Sequence, residues 1–172
     1  ADNDLLNLYG DVDNLTTVDA EGNRDFDGVS TIEAGSGNDT VGIYGNGDYQ
    51  IGLGAGDDAL KKVGNSNHTV VAGSGNDTIE MLGLNDEGPN NNLIWTGIGD
   101  DSVRITGDGD QEIYDAEPGI IDDTGNDTVE FVGDGDMKAV MGDGDDVIII
   151  TDNNGGDPVS LGFNVGVHDI DL

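Results

Sequence analysis

The chain has 172 residues, of which 37 are acidic and only 5 are lysine or arginine, so its formal net charge is -32. This balance argues against nucleic acid or an anionic membrane surface as a partner, because binding phosphate groups requires the opposite sign. The absence of cysteine excludes disulfides and thiolate metal sites. No apolar run approaches the length of a membrane span, so we expect no insertion into a membrane.

Strongly acidic chains are often disordered, but this one has a regular pattern. Its 30 glycines recur at a fixed phase, and valine, isoleucine and leucine recur with them. Such regularity predicts a folded repeat protein whose self-repulsion is relieved when cations bind. The chain begins with Ala1 rather than Met, and we expect it to be a processed product or an excised fragment.

An acidic turn motif, Gly-x-Gly-(Asn/Asp)-Asp-x-aliphatic, returns about every nineteen residues. Its copies occupy residues 35–41, 54–60, 73–79, 97–103 and 142–148, with a less regular copy at 124–129. Glycines free the backbone to turn its carbonyls inward, and the aspartate after them supplies a hard anionic oxygen. Flexible sets of oxygen ligands suit Ca²⁺.

A second, weaker set of turns lies between the acidic ones. It occupies residues 45–51, 64–70, 88–94, 107–113 and 133–139. Alternating steps of about ten and nine residues join the two sets into a coil of about nineteen residues, with two short strands and two turns. The strands predicted most clearly, in chain order, are 39–43, 49–53, 77–82, 127–132 and 146–150.

Stacking such coils at the inter-strand spacing of roughly 4.8 Å predicts an all-β fold with two parallel sheets, closed into a right-handed parallel β-roll or β-solenoid. The predicted inward columns are Val41, Leu60, Ile79, Val103, Val129 and Ile148 on one sheet and Ile51, Val70, Ile94, Ile113 and Ala139 on the other. Each coil buries only a few aliphatic side chains. We therefore expect residues 1–172 to fold as one cooperative domain.

The repeat is interrupted in places. We expect irregular first coils over residues 1–30, regular coils over 31–160 and a C-terminal cap over 161–172. About five additional residues lie near 84–87 and about seven near 115–121. Both insertions fall at turns, where added residues are tolerated.

Two segments, 34–42 and 72–80, closely match the nonapeptide G-G-x-G-x-D-x-aliphatic-x, so the chain resembles the RTX (repeats-in-toxin) calcium-binding family. The resemblance covers most of residues 1–160 and implies a parallel β-roll that folds outside the cell, with Ca²⁺ ions between adjacent turns. By position it places carboxylate ligands at Asp39, Asp58, Asp77, Asp101, Asp127 and Asp146, with Asp4 as a weaker candidate. It places carbonyl donors at Gly35, Gly37, Gly54, Gly56, Gly73, Gly75, Gly97, Gly99, Gly125, Gly142 and Gly144.

The alternate turns depart from the family pattern at the ligand position. That position holds, in order, Tyr49, His68, Asn92, Gln111 and Met137, and never aspartate. A tyrosine or a methionine cannot replace a bridging carboxylate. The sequence therefore predicts a ladder of several Ca²⁺ ions along one edge only. We expect the other edge to be held by turn geometry, with side chains bonding to the backbone.

Two outward columns carry further predictions. Alternating signs at Lys61, Glu80, Arg104 and Glu130 predict cross-strand ion pairs. An apolar column at Val71, Trp95, Tyr114 and Val140 is covered either by the 115–121 insertion or by a partner. His68 and His168 lack partners at ligand spacing, so we expect surface or turn histidines.

These features predict a non-enzymatic, calcium-binding structural module of an extracellular protein, such as an adhesin, a surface-layer component or a filament subunit. The alternative is a calcium-stabilised recognition module that binds a glycan or a protein through Trp95, Tyr114 and the insertions. Exposed sheet edges favour end-to-end self-association. An enzyme of the β-helical lyase type is disfavoured, because only Arg104, Lys61 and Lys62 are basic residues near a face and no catalytic constellation converges outside the repeat.

Overall fold

The computed structural model describes most of the repeat. The described residues are 5–9, 30–65, 67–84, 92–107, 109–115, 125–133, 135–151, 159–163 and 169–171. Within these stretches every regular element is a β-strand, and there is no helix that could cross a bilayer. Asp4, His168 and the segments 10–29, 85–91 and 116–124 lie outside the described residues.

The strands form two parallel sheets, one from the odd-numbered and one from the even-numbered strands. The odd sheet, in its spatial order, contains β1 Leu5–Tyr9, β3 Thr40–Tyr44, β5 Ala59–Val63, β7 Thr78–Leu84, β9 Ser102–Gly107, β11 Thr128–Val132, β13 Val147–Thr151 and β15 Asp169–Asp171. The even sheet contains β2 Ser30–Ser36, β4 Tyr49–Ala55, β6 His68–Ser74, β8 Asn92–Ile98, β10 Gln111–Tyr114, β12 Met137–Met141 and β14 Val159–Phe163. Consecutive strands therefore alternate between sheets, as the predicted coils require, and the fold is all-β and solenoid-like.

The strand register confirms the repeat length and both insertions. Hydrogen-bonded neighbours in the regular coils are 19 residues apart. The separation is 24 residues from Asp77 to Asp101 and 26 from Asp101 to Asp127, which means five and seven additional residues. The additions fall between β7 and β8 and between β10 and β11, where the sequence predicted them.

The core lies between the two sheets. Every residue of the two predicted inward columns is buried, so that prediction is confirmed. Because alternate residues of a strand share a face, a further inward column follows each one. On the odd sheet it contains Ile43, Lys62, Met81, Ile105, Phe131 and Ile150. The expectation that Lys62 lies near a face is wrong, because its side chain is fully buried.

The close approach of successive coils requires a glycine at position 54. A Cβ added there would lie 1.8 Å from the carbonyl oxygen of Gly35 in the preceding coil. Gly35 and Gly54 also have positive φ angles, of 107° and 111°. A side chain would collide with backbone, which cannot yield. The motif glycines therefore have a packing role that does not depend on any bound ion.

The two edges of the stack have different turns. Three residues, Gly56, Asp57 and Asp58, join β4 to β5, whereas the four residues 45–48 join β3 to β4. We call the edge that contains Asp58 the acidic edge and the edge that contains residues 45–48 the second edge. On the acidic edge the first motif glycine, such as Gly54, lies within the strand, and only the second begins the turn.

The strands near the chain ends continue both sheets. β1 pairs with β3, β14 pairs with β12 and β15 pairs with β13. The sequence predicts a cap over residues 161–172. Strand β14 overlaps the start of that segment, and β15 lies wholly within it.

Candidate functional site

Six aspartates form one buried column on the acidic edge. Each ends a turn immediately before an odd-numbered strand, and the parallel register of those strands stacks them. The column contains Asp39, Asp58, Asp77, Asp101, Asp127 and Asp146, each only 1–3% exposed. Carboxylates are seldom buried to this degree unless they are paired. These are the six principal ligand residues predicted from the sequence, and the fold brings them together.

One oxygen of each carboxylate is used within the protein. The backbone N–H of Asp39 donates to Oδ1 of Asp58 at 2.7 Å, and that of Asp58 donates to Oδ1 of Asp77 at 2.8 Å. The same bond recurs at every later step of the column, at 2.7 to 3.0 Å. Each aspartate from Asp58 onward thus satisfies a turn N–H of the preceding coil, which is a structural role independent of metal.

The other carboxylate oxygen faces the interior. Oδ2 of Asp58, Asp77 and Asp127 is buried and accepts no hydrogen bond. The Oδ2 atoms of Asp39, Asp101 and Asp146 are buried as well. A buried anionic oxygen without a partner is costly. Asp58, Asp77 and Asp127 therefore require a proton or a cation at Oδ2.

The pKa values of the column reflect this requirement. Burial raises the pKa of Asp77 from its usual value of 3.8 to about 6, opposed by the hydrogen bond from Asp58 N–H and assisted by the charges of Asp58 and Asp57. Burial likewise raises the pKa of Asp127 to about 8, with Asp115 among the carboxylates that add to the effect. Burial also raises the pKa of Asp58. Without cations, a buried carboxyl such as that of Asp127 therefore keeps its proton to a higher pH than an exposed aspartate does.

A second ladder runs along the exposed side of the same turns. The backbone N–H of Asp57 donates to Oδ1 of Asn38 at 3.1 Å, and that of Asn76 donates to Oδ1 of Asp57 at 3.0 Å. These bonds run in the direction opposite to those of the buried column. The ladder contains Asn38, Asp57, Asn76, Asp100, Asn126 and Asp145.

Amide and carboxylate alternate on successive coils of this exposed ladder. The alternation is visible in the sequence at the fourth motif position, but its role in a ladder of hydrogen bonds follows only from the fold. Exposed carboxylates are consequently two coils apart, roughly 10 Å at the usual strand spacing. This spacing reduces repulsion beside the fully acidic buried column.

The donors on the acidic edge fit a hard cation. Within the described part of the chain no three histidine, aspartate or glutamate side chains converge on one point. Any cation held there would have column carboxylates as ligands, with backbone and solvent oxygens completing its coordination. Oxygen-only donors of this kind suit Ca²⁺ better than Zn²⁺ or Cu²⁺.

The predicted carbonyl donors lie at the contacts between successive coils. A Cβ added to Gly56 would lie 2.0 Å from the carbonyl oxygen of Gly37, so these carbonyls lie against the next coil. The same contact recurs from Gly35 to Gly54, Gly54 to Gly73, Gly56 to Gly75, Gly73 to Gly97, Gly75 to Gly99 and Gly125 to Gly144. Gly142 is buried between β12 and β13.

The second edge has neutral side chains at the equivalent buried position. Tyr49, His68, Asn92, Gln111 and Met137 are all at most 2% exposed. His68 N–H donates to Oδ1 of Asn92 at 3.0 Å, and Nδ2 of Asn92 donates to Oε1 of Gln111 at 3.0 Å. On the exposed side, Asn67 N–H donates to Oδ1 of Asp48 at 3.0 Å. The predicted side-chain-to-backbone bonding on this edge is confirmed.

His68 is a correction to the sequence analysis. It begins β6 next to a turn, but its ring is buried and packs against Tyr49 with 5.7 Å between ring centroids. Burial, with a smaller effect from the charge of Lys62, lowers the pKa of His68 to about 3. The imidazole is therefore neutral at physiological pH.

The predicted ion pairs on the odd sheet are present. Lys61 Nζ lies 2.6 Å from Glu80 Oε2, and Arg104 lies 4.0 Å from Glu80 and 2.8 Å from Glu130. These side chains are about one-third to one-half exposed, so each pair contributes below about 1 kcal/mol.

The predicted apolar column on the even sheet is also continuous. Val71 pairs with Trp95, Trp95 with Tyr114, and Tyr114 with Val140, and all four side chains are half-buried. Lys138 donates a hydrogen bond to the Tyr114 hydroxyl. The proposed covering segment 115–121 lies outside the described residues apart from Asp115.

Comparison with protein-family models, curated proteins and solved structures gives no match for this chain. The similarity to the RTX repeat therefore rests on the motif residues alone and stays a prediction.

Proposed function

We propose that the chain is a non-enzymatic, calcium-dependent structural module of an extracellular protein, built as an RTX-type right-handed β-roll of about nineteen residues per coil. The observation that carries the proposal is the buried aspartate column. Six stacked carboxylates each place Oδ2 in the interior, in a chain whose net charge is -32.

The two carboxylate oxygens of each column residue have different roles. From Asp58 onward, Oδ1 accepts a hydrogen bond from a backbone N–H of the preceding turn. This bond fixes the position of each carboxylate along the stack of coils. Oδ2 of Asp58 and Oδ2 of Asp77 then present hard anionic donors on adjacent coils. Bound Ca²⁺ would supply the positive charge that these oxygens lack. The residues that would hold it are the six column aspartates with neighbouring glycine carbonyls.

Such an arrangement couples folding to ion binding. The unfolded chain does not bring the aspartates together, so an ion binds mainly the folded state. One site at a hundredfold excess over its Kd stabilises the folded state by about 2.7 kcal/mol, and several sites along one column add to this. Without ions, the buried carboxylates oppose folding at neutral pH. The role is thus mechanical: the module is ordered where calcium is abundant, as outside cells.

The test is far-UV circular dichroism with chelator and with calcium, read together with the fluorescence of the single tryptophan, Trp95. We expect a largely unfolded chain in chelator at neutral pH and a cooperative gain of β-structure as Ca²⁺ is added. Extracellular modules have Kd values of roughly 0.1–1 mM, which sets the expected midpoint. Mg²⁺ at the same ionic strength is the control. A chain that is fully folded in chelator and indifferent to calcium would refute the proposal.

A second candidate function, a calcium-stabilised recognition module, is favoured by a groove on the outer face of the even sheet. The groove has a volume of about 500 Å³, and Glu33, Gln50, Gly52 and Thr69 line it together with Val71. Trp95 lies on the adjacent strand, beside Val71. Polar side chains next to an aromatic ring suit a glycan.

The variant Trp95→Ala tests this second candidate. If it retains the calcium-dependent circular dichroism signal but loses binding on a glycan array, recognition is supported. If it loses folding and no glycan binds the unmodified protein, the aromatic column has only a packing role.

A further inference from the structure

The second edge contains a cation that belongs to the protein itself. Lys62 lies on β5 with its side chain fully buried, and its neighbours in the inward column are Ile43 and Met81. Its Nζ donates a hydrogen bond of 2.9 Å to the carbonyl oxygen of Gly45, in the second-edge turn. An ammonium group in an apolar column is costly unless it is compensated, so its place in the fold needs an explanation.

The carbonyl that Lys62 contacts has a direct counterpart on the acidic edge. Gly45 is the first turn residue after β3, as Gly37 is the first turn residue after β2. The N–H of Gly45 donates to Val63 O at 2.9 Å, and the N–H of Gly37 donates to Ala55 O at 2.8 Å. In both turns the glycine carbonyl lies against a glycine of the next coil. The two carbonyls therefore occupy equivalent places on the two edges.

The charges around these carbonyls are reversed between the edges. On the second edge the buried positions hold neutral Tyr49 and His68, and the interior charge is the ammonium of Lys62. Asp48 on the exposed side attracts that ammonium, and although burial lowers the pKa of Lys62 to about 8, the group is protonated at neutral pH. On the acidic edge the interior charges are carboxylates. The other described basic residues, Lys61, Arg104 and Lys138, pair with glutamates on outer faces.

We propose that the Lys62 ammonium is the resident cation of the second edge and supplies, at the Gly45 turn, the positive charge that a bound metal ion would supply on the acidic edge. The comparison with a metal ion rests on the proposed function. The ammonium accounts for the absence of aspartate at Tyr49 and His68, because carboxylates are not needed where the cation is covalently attached. Further along the edge, the Gln111 side-chain amide donates to Gly109 O at 2.8 Å, so a neutral donor serves another turn carbonyl.

Counting bound calcium tests the proposal. The double substitution Tyr49→Asp/His68→Asp places two adjacent carboxylates on the second edge, as on the acidic edge. With Lys62 present, equilibrium dialysis should give the same number of Ca²⁺ ions per chain as the unmodified protein, because the ammonium neutralises the new carboxylates. Adding Lys62→Met should allow about one additional ion to bind. The matched control is Asn92→Asp/Gln111→Asp, where no lysine reaches, and it should bind an additional ion directly.

Three outcomes would overturn the proposal. The first is an additional ion in Tyr49→Asp/His68→Asp while Lys62 remains. The second is a folded Lys62→Met triple variant that gains no ion. The third is an Asn92→Asp/Gln111→Asp control without an additional ion, which would mean that the second edge does not accept metal even where lysine is absent.

Amine labelling of the unmodified protein provides a test that does not depend on these variants folding. Lys61 and Lys62 are adjacent, with opposite exposure. In the folded protein an acylating reagent should modify Lys61 to completion while Lys62 stays unmodified, and both should react in denaturant. Equal rates in the folded protein would contradict the proposal. If the unmodified protein binds no calcium, the proposed function fails, whereas the labelling result still reports on Lys62.

Discussion

The backbone N–H of Asp39 donates a 2.7 Å hydrogen bond to Oδ1 of Asp58, nineteen residues further along the chain. This contact joins two coils and fixes the orientation of a buried carboxylate. With Oδ1 engaged in this way, Oδ2 of Asp58 is left in the interior without a hydrogen-bond donor. The Asp58 side chain thus stabilises the preceding turn through Oδ1 and leaves Oδ2 as a buried anionic oxygen that needs a cation.

Replacing Asp58 with asparagine retains the Oδ1 acceptor but removes the buried charge. We expect Asp58→Asn to be more stable than the unmodified protein in chelator, because one uncompensated carboxylate is gone. In saturating calcium it should lose stability relative to the unmodified protein, by about 2–3 kcal/mol, the linkage free energy of one site. Urea unfolding in saturating calcium measures the loss, and the fraction of folded chain in chelator, from circular dichroism, measures the gain.

The matched control is the neighbouring substitution Asp57→Asn. Asp57 is exposed, and asparagine already holds the equivalent position on the adjacent coils at Asn38 and Asn76. We expect a change within about 0.5 kcal/mol in either condition. Equal effects of the two substitutions would mean that the buried column has no special role in binding cations.

In chelator, stability should fall as the pH rises. The folded-state pKa is about 6 for Asp77 and about 8 for Asp127, both above the usual 3.8, so the folded state binds more protons than the unfolded chain in this range. The stabilisation is therefore fully present below about pH 4 and is lost as the pH rises through 6 to 8. The fraction of folded chain in chelator, recorded by circular dichroism from pH 4 to pH 8, measures it.

Calcium should reverse this trend, because ions and protons compete for the same oxygens. At saturating calcium the melting temperature should hold or rise from pH 5 to pH 8. A folded fraction that increases with pH in chelator would contradict the assignment of buried carboxylates with raised pKa values.

Gly54 and Gly52 lie on the same strand but differ in what surrounds them. A Cβ at Gly54 would lie 1.8 Å from backbone of Gly35, with a φ of +111°, so we expect Gly54→Ala to destabilise the fold by about 3 kcal/mol or more. A Cβ at Gly52 meets only the end of the flexible Glu33 side chain, so Gly52→Ala should cost below about 1 kcal/mol. Thermal unfolding in saturating calcium compares them, and equal losses would argue against close coil packing at Gly54.

Neighbouring residues on β7 separate core packing from surface charge. Met81 is fully buried, and Met81→Ala should destabilise the protein by about 2–5 kcal/mol. Glu80 is partly exposed and pairs with Lys61 and Arg104, and Glu80→Gln should cost below about 1 kcal/mol, with the loss decreasing further at high salt. A larger loss for Glu80→Gln than for Met81→Ala would show that the outer ion pairs dominate.

The sequence predicted the features that repeat. The nineteen-residue period, the inward columns through Val41 and Ile51, and the lengths of both insertions were all readable, because each depends on spacing along the chain. The ion pairs of Lys61 and Arg104 followed from the same register. Local periodicity suffices for such features, since each coil repeats its neighbour.

The burial of Lys62 and of His68 was not predicted. Strand alternation places Lys62 on the same face as Leu60, but the charge of lysine favours the surface. The side chain is buried because its Nζ reaches the carbonyl oxygen of Gly45, which accepts its hydrogen bond. His68 is similar, because its burial depends on Tyr49 and Asn92 from the adjacent coils.

By itself the sequence therefore determined the period, the parallel stacking and the identity of the six column aspartates. Only the tertiary structure decided which oxygen of each carboxylate is engaged, which way the buried and exposed ladders run, and where the one buried ammonium lies. The physical reason is that spacing is a property of one chain segment, whereas a hydrogen-bond partner or a buried charge is defined by residues nineteen or more positions away, on another coil.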